Sequence, residues 1–193
     1  MTPTFRPTAC APHLIAQTTL RTPLGNALMA CSARGLCGLW FEGQKDHPGV
    51  LGAPENAQSP VLRDTTAQLA DYFAGHRRAF ELPLDLHGTP FQLRVWQLLL
   101  SIGCGQHRRY GELAHALGTP NAARAVGAAV GRNPVSVIVP CHRVLGQGGA
   151  LTGYAGGLDR KVALLTLEGV WPPSTSATDT RQPQAQLALE ARA

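Results

Sequence analysis

Lysine is nearly missing from this chain: of its 17 basic residues only Lys45 and Lys161 are lysine, and the other fifteen are arginine. Acidic residues are scarce in one stretch as well. Between Gly88 and Gly157, Arg94, Arg108, Arg109, Arg124, Arg132 and Arg143 are opposed by Glu112 alone. That clustering suits a polyanionic partner. A solvated basic face would look similar, but arginine is the residue chosen where phosphates or bases are gripped by a planar fork. No apolar run approaches the roughly eighteen residues of a membrane span, and Met1 to Cys10 has no apolar centre of a signal peptide. The expectation is therefore a cytoplasmic protein without membrane contact. No CxxC pair occurs, and the cysteines (Cys10, Cys31, Cys37, Cys104, Cys141) are five, an odd number that argues against a disulfide framework. The six glycines from Gly146 to Gly157 match neither a Walker loop nor a dinucleotide fingerprint, so a phosphate cradle is excluded there. With Tyr154 among them, they read as a tightly turned pocket wall.

What is present is enough apolar material, 44% of 193 residues, for one good core or two small domains. Residues 1–17 are read as an arm. Thr18 to Leu24, Asn26 to Ala30 and Leu36 to Phe41 read as an antiparallel meander. Ser59-Pro60 has the form of an N-cap followed by a first-turn proline, opening a helix with a stripe of Val61, Leu62, Leu69, Tyr72 and Phe73 that Gly75 ends. Phe80 to Leu86 is a strand or a linker. Thr89-Pro90 repeats the cap signal before Phe91, Val95, Leu98, Leu99 and Ile102, with Trp96 read as core beside that stripe. Gly111 to Leu117, a turn at Gly118 to Pro120, and Asn121 to Gly131 have the pattern of a helix-turn-helix, although an ordinary helical hairpin shares it. Leu158 to Glu168 is a last helix. Glu168 sits in its final turn, where the helix dipole disfavours a carboxylate; either it serves a purpose elsewhere or it is a solvated surface residue. Residues 171–193 read as a disordered tail with a helical turn near Leu187. The domains expected are 18–88 and 89–170.

Asn133 to Val144 is the stretch on which the chain turns. Val135 to Val139, bounded by Pro134 and Pro140, reads as a buried extended segment. It ends on Cys141 and His142, followed by Arg143, and cationic neighbours lower a thiol's pKa toward that of a nucleophile. These twelve residues alone leave an inert buried thiol equally open.

The strings GTPFQLRVWQLL, YGELA, AARAVGAAVGRNPVSVIVPCHRV and GYAGGLDRKVALLTLEG, in that order from Gly88 to Gly169, resemble the O6-alkylguanine-DNA alkyltransferases, also called methylated-DNA–protein-cysteine methyltransferases. TPLG and GLCGLWF carry a weaker likeness in the N-terminal half. The resemblance implies an α+β fold: a small antiparallel sheet with a helix, ribonuclease H-like, followed by a mainly helical winged helix-turn-helix domain. It also implies a single-turnover repair reaction without a cofactor, in which an alkylated guanine is rotated out of double-stranded DNA and its alkyl group moves to Cys141. Carried over position by position, His142 activates Cys141 through a bridging water, Glu168 orients the imidazole, Tyr110 donates to the departing guanine, and Asn133 holds the turn. Arg124 fills the gap left by the flipped base, with Ala122, Ala123, Ala125, Val126 and Gly127 close to the DNA and Arg132 beside them. Pro140, Val144, Tyr154, Ala155 and Gly156 form the substrate pocket, the backbones of Val144 and Ala155 reading the guanine edge. O4-alkylthymine is an expected second substrate, and a monomer the expected state. Some relatives hold a structural zinc. Here the candidates are His13, Cys31, Cys37 and His87, with Ser32 where a cysteine would match, so no metal is expected.

Three other readings account for less. A lesion-flagging relative without repair activity lacks the cysteine that this chain has. A helix-turn-helix regulator leaves IVPCHRV, Tyr110 and Glu168 unexplained, and a Cys-His hydrolase has no use for the arginines.

Overall fold

The computed structural model describes residues 13–171. Residues 1–12 of the arm, and the tail after Trp171 with its turn near Leu187, lie outside the described residues. The meander comes first, as β1 (Leu14–Thr22), β2 (Gly25–Ser32) and β3 (Gly35–Phe41) in the order β1-β2-β3. β1 starts inside the stretch assigned to the arm. Leu14, Ala16 and Gln17 face Ser32, Cys31 and Ala30 across the ladder, so the backbone there is paired rather than loose. The first hairpin closes on Thr22, whose hydroxyl donates to the Gly25 carbonyl at 2.7 Å and accepts from Leu24 N. At the second, Gly35 is irreplaceable on space alone: a Cβ there would lie 2.4 Å from the Pro83 carbonyl oxygen.

Helix α1 (Pro60–Phe73) packs across all three strands through Leu62, Leu69 and Tyr72. Its cap differs from the sequence reading. Ser59 makes no capping bond; it is buried, and its hydroxyl is turned toward the sheet, 3.4 Å from Cys31 Sγ. Phe80 to Leu86 is a linker rather than a strand, tied to β3 by Leu36 N donating to Pro83 O and Asp85 N to Leu36 O.

Helix α2 (Pro90–Leu100) has the full capping box, Thr89 Oγ1 accepting from Gln92 N and Gln92 Oε1 from Thr89 N. Trp96 is core, its indole donating to the Ala129 carbonyl at 2.9 Å. The helix-turn-helix follows: a two-residue β4 (Arg108–Arg109), α3 (Tyr110–Ala116), a 3-10 turn over Pro120–Ala122, and α4 (Ala123–Gly131). β4 pairs in parallel with β5 (Val144–Leu145), and α5 (Leu158–Leu167) closes the fold. Side chains from both halves form one core, running from Ala16 and Met29 through Val95 to Val139 and Leu164. Among the described residues no helix is long and apolar enough to cross a membrane.

Candidate active site

The segment before Cys141 is buried but not extended. Val137 has φ +70°, a left-handed conformation that is rare for a β-branched residue. Hydrogen bonds from Val139 N to Val135 O and from Cys141 N to Val139 O fold the segment into consecutive turns. Asn133 is the reason. Its amide accepts from Val135 N at 3.0 Å and directs Nδ2 at the carbonyls of Val135 and Val139 and, at 3.0 Å, at Cys141 Sγ. One side chain thus satisfies the interior of the turn and offers the sulfur a donor. The strain at Val137, of order 1–3 kcal/mol, is tolerated because the surroundings over-determine the loop. β3 supplies the outer support: Leu39 N donates to Pro134 O and Ser136 N to Leu39 O, both at 2.9 Å. Gln44 Oε1 accepts from Phe41 N and from the Ser136 hydroxyl.

Cys141 is 4% exposed and opens a 3-10 turn with His142 and Arg143. Contrary to the sequence reading, its thiol is pushed up, because burial outweighs the Asn133 hydrogen bond and the charge of Lys161. Arg143 does not serve the sulfur at all. Its Nε and Nη2 donate to the two oxygens of Glu168 at 2.9 and 2.7 Å, and Nη1 donates to the Ile102 carbonyl. His142 is fully buried, with Nε2 3.0 Å from Glu168 Oε1 and Nδ1 without a partner among the described residues. Burial lowers its proton affinity, opposed by Glu168 and reinforced by the charges of Arg143 and Lys161. The favoured form is a neutral imidazole that donates through Nε2 and presents a bare Nδ1. Burial alone would raise Glu168; hydrogen bonds from His142 and Arg143, with the Arg143 charge, hold it at about 2. The glutamate is therefore a permanent anion inside the fold, not a solvated surface residue.

A cavity of about 400 Å³ opens beside this turn, walled by Tyr110, Gly127, Gly153, Tyr154 and Ala155, with Arg132 at its edge. Tyr110 Oη donates to Gly153 O at 3.3 Å, and Tyr154 Oη is buried without a hydrogen-bond partner among the described residues. Burial raises both phenols, and the charge of Cys141 adds to it. Pro140, Val144 and Gly156, placed in the pocket by resemblance, are buried. The Val144 carbonyl is already engaged, accepting from Lys161 Nζ at 2.5 Å, as does Thr152 O at 2.8 Å.

Helix α4 turns Val126, Ala129 and Val130 into the core and leaves Arg124, Ala125 and Ala128 outside, with Ala122, Ala123 and Gly127 half-buried. Val126 is fully buried and so does not touch DNA from there. Arg124 and Arg132 are both exposed. Of the zinc candidates, Cys31 meets Ser59 and His87 pairs with Asp85, and among the described residues no three His, Cys, Asp or Glu side chains are placed to hold a metal.

Family models match along nearly the whole described chain: 6-O-methylguanine DNA methyltransferase, ribonuclease-like domain, over residues 15–86, and the DNA binding domain of the same family over residues 90–170. The methylated-DNA–protein-cysteine methyltransferase of Mycobacterium leprae is 47% identical over 151 residues, covering 78% of this chain and 90% of its own. The chain belongs to this methyltransferase family. The constitutive member from Bacillus subtilis is 43% identical, over 79% of this chain and 94% of its own. The crystal structure of Mycobacterium tuberculosis OGT in complex with DNA is similar at a TM-score of 0.73 and 44% identity, covering 80% of this chain and 92% of that one. The α+β architecture, with its ribonuclease-like first half, is thereby borne out.

Sequence reasoning missed Tyr72, Lys161, Lys45 and Asp46, and misplaced Arg143. Tyr72 donates to Glu168 Oε1 at 2.7 Å from the other half of the molecule. Lys45 and Asp46 line the cavity, and Lys45 N donates to Ala155 O at 2.9 Å. A signal existed for Lys161. With Leu164, Leu165 and Glu168 it falls on one helical face, so two charged residues stood on a buried stripe.

Proposed function

We propose that this protein repairs double-stranded DNA by moving the alkyl group of O6-alkylguanine, and of O4-alkylthymine, onto Cys141, once per molecule. The observation that carries the reading is a buried thiol held by Asn133 next to a buried His142–Glu168 pair, behind a tyrosine-walled cavity whose rim is a helix of small residues with one projecting arginine.

The chemistry follows from these groups. Nδ1 of His142 takes the thiol proton through a solvent molecule, and the thiolate attacks the alkyl carbon in line. The S–C bond forms as the C–O bond to guanine breaks, and the electron pair left on the base is quenched by a proton from Tyr110. The imidazolium that forms is stabilised by Glu168. The base is held by the main chain of Ala155 and by Val144, whose carbonyl keeps a second lone pair beside its bond to Lys161. The thioether so formed is a poor alkyl donor, so each molecule stops after one transfer. A single chain carries every residue named, and the protein works as a monomer.

Arg124 is the test of base rotation. Its guanidinium occupies the space left by the displaced nucleotide, so its gain exists only with duplex DNA, where extrusion costs a few kcal/mol. Arg124→Ala should slow single-turnover repair of alkylated duplex about tenfold or more, measured at constant salt, and leave reaction with free O6-benzylguanine unchanged. Equal slowing on both substrates would place Arg124 in the pocket chemistry instead.

A further inference from the structure

Glu168 Oε1 is a crowded atom. It accepts from Tyr72 Oη at 2.7 Å, from Arg143 Nη2 at 2.7 Å and from His142 Nε2 at 3.0 Å. Arg143 is held twice over, through Nε on Oε2 and Nη1 on Ile102 O, and cannot leave the carboxylate. Tyr72 is different in origin. It stands in the last turn of α1, in the ribonuclease-like half, fully buried with Phe73 and Phe80 packed at ring-centroid distances of 5.4 and 5.2 Å. Its hydroxyl crosses from one half to the other to reach one oxygen, the oxygen that faces the imidazole.

We infer that Tyr72 is a positioning residue that sets the basicity of His142, so that the N-terminal half tunes the proton relay of the C-terminal half. The reasoning is electrostatic. When His142 takes a proton, the charge that stabilises the imidazolium resides on Glu168 Oε1, the atom its Nε2 faces. A phenol donating to the same atom withdraws part of that charge, which keeps His142 neutral at rest and Nδ1 free to accept. The other groups around the imidazole cannot supply this adjustment. Arg143 is a fixed cation, and Lys161, lowered by burial to about 8, gives up its charge only toward the top of the pH range tested; both disfavour protonation whatever α1 does, and Glu168 favours it. Cys104 is near Tyr72 rather than His142.

The inference deepens the proposed function and rests on it for the meaning of the relay, but not for the measurement. Tyr72→Phe keeps the ring and its packing and removes only the donor. Two readouts are needed: the single-turnover rate with O6-benzylguanine from about pH 5 to about pH 9, and the 15N titration of the His142 imidazole. In both, the midpoint should move to higher pH, by about half to one unit, the range expected for one lost hydrogen bond. Replacing Tyr72 with 3,5-difluorotyrosine, a stronger donor of almost the same shape, should move it the other way, and keeps the test open if the phenylalanine variant does not fold. A midpoint that stays in place or falls in Tyr72→Phe, with rates reduced evenly at every pH, would reduce Tyr72 to a brace and overturn the inference. Absence of any adduct in the unmodified protein would sink the functional reading instead, and the imidazole titration would still decide the role of Tyr72.

Discussion

Among the described residues each half of the molecule holds one carboxylate–imidazole pair, Asp85 with His87 and Glu168 with His142, and both measure 3.0 Å. Each has a thiol in its vicinity. Cys37 Sγ lies 4.0 Å from Asp85 Oδ2, whereas Cys141 is touched by Asn133 Nδ2 and influenced by Lys161. Around Asp85 the partners reach solvent, His87 at 30% and Arg34 at 83% exposure, and Ser32 donates at 2.6 Å. Around Glu168 every partner is buried. Cys37 is pushed up to about 11, by burial first and also by the Asp85 charge, although Ser32 opposes both. A thiol facing an anion resists ionisation, and one facing an amide donor and a cation, beside a base with a bare nitrogen, can be ionised on demand. The pair itself is therefore not the chemistry. Burial raises both thiols, and what separates them is the sign of the charge that faces each sulfur.

The comparison breaks most sharply at the sulfur atoms. Cys141→Ser should abolish transfer, and Cys37→Ser should retain it, as read by intact mass after incubation with alkylated duplex. An adduct on the Cys141→Ser protein would move the nucleophile elsewhere. Next come the imidazoles. His142→Ala should slow transfer by about a hundredfold or more, the usual scale for a general base, and His87→Ala should leave the single-turnover rate where it was. Comparable slowing in both would mean that the two pairs act together.

The smallest effect concerns stability, and guanidinium unfolding measures it. Glu168→Gln leaves Arg143 as a buried cation without its counter-charge and should cost about 3–5 kcal/mol at neutral pH. Asp85→Asn, whose charged partners are exposed, should cost about 1 kcal/mol or less. The two carboxylates also differ in acid. The folded value of Glu168, about 2, lies below its ordinary 4.5. Its contribution is then complete above about 4.5 and is lost as pH falls toward about 2, because the unfolded chain binds the proton first. Glu168→Gln should flatten the fall in stability over that window, and an unchanged slope would contradict the buried-anion reading.

Much of the frame was legible in one dimension. Thr89-Pro90 with Gln92 specified a capped helix because every partner of that cap lies within four residues. The apolar run of Leu36 to Phe41 after the turn at Ala33 to Gly35 marked a strand, and IVPCHRV, through its likeness to the family, marked Cys141 as the candidate nucleophile. Glu168 was legible as an anomaly, a carboxylate at the wrong end of a helix dipole. Ser59 and Val135 to Val139 misled, since both were read from local preference and both were decided by a distant contact: the hydroxyl by Cys31, the valines by Asn133 and by β3. A run between two prolines reads as extended until a side chain is available to satisfy the inside of a turn.

The sequence by itself determined the order of the main elements and the small-residue face of α4, because each depends on spacing or on residue chemistry within a few positions, and its likeness to the family singled out Cys141, His142 and Glu168 as the candidate nucleophile, base and carboxylate. Only the tertiary structure decided the electrostatics. It gave Arg143 to Glu168 rather than to the sulfur, brought Tyr72 to the same carboxylate from 96 residues away, set Lys161 beneath the pocket wall, and raised the thiol that its neighbours in sequence were expected to lower. Coulomb energies and desolvation depend on distance through space and on burial, and neither is written in the spacing of residues along a chain.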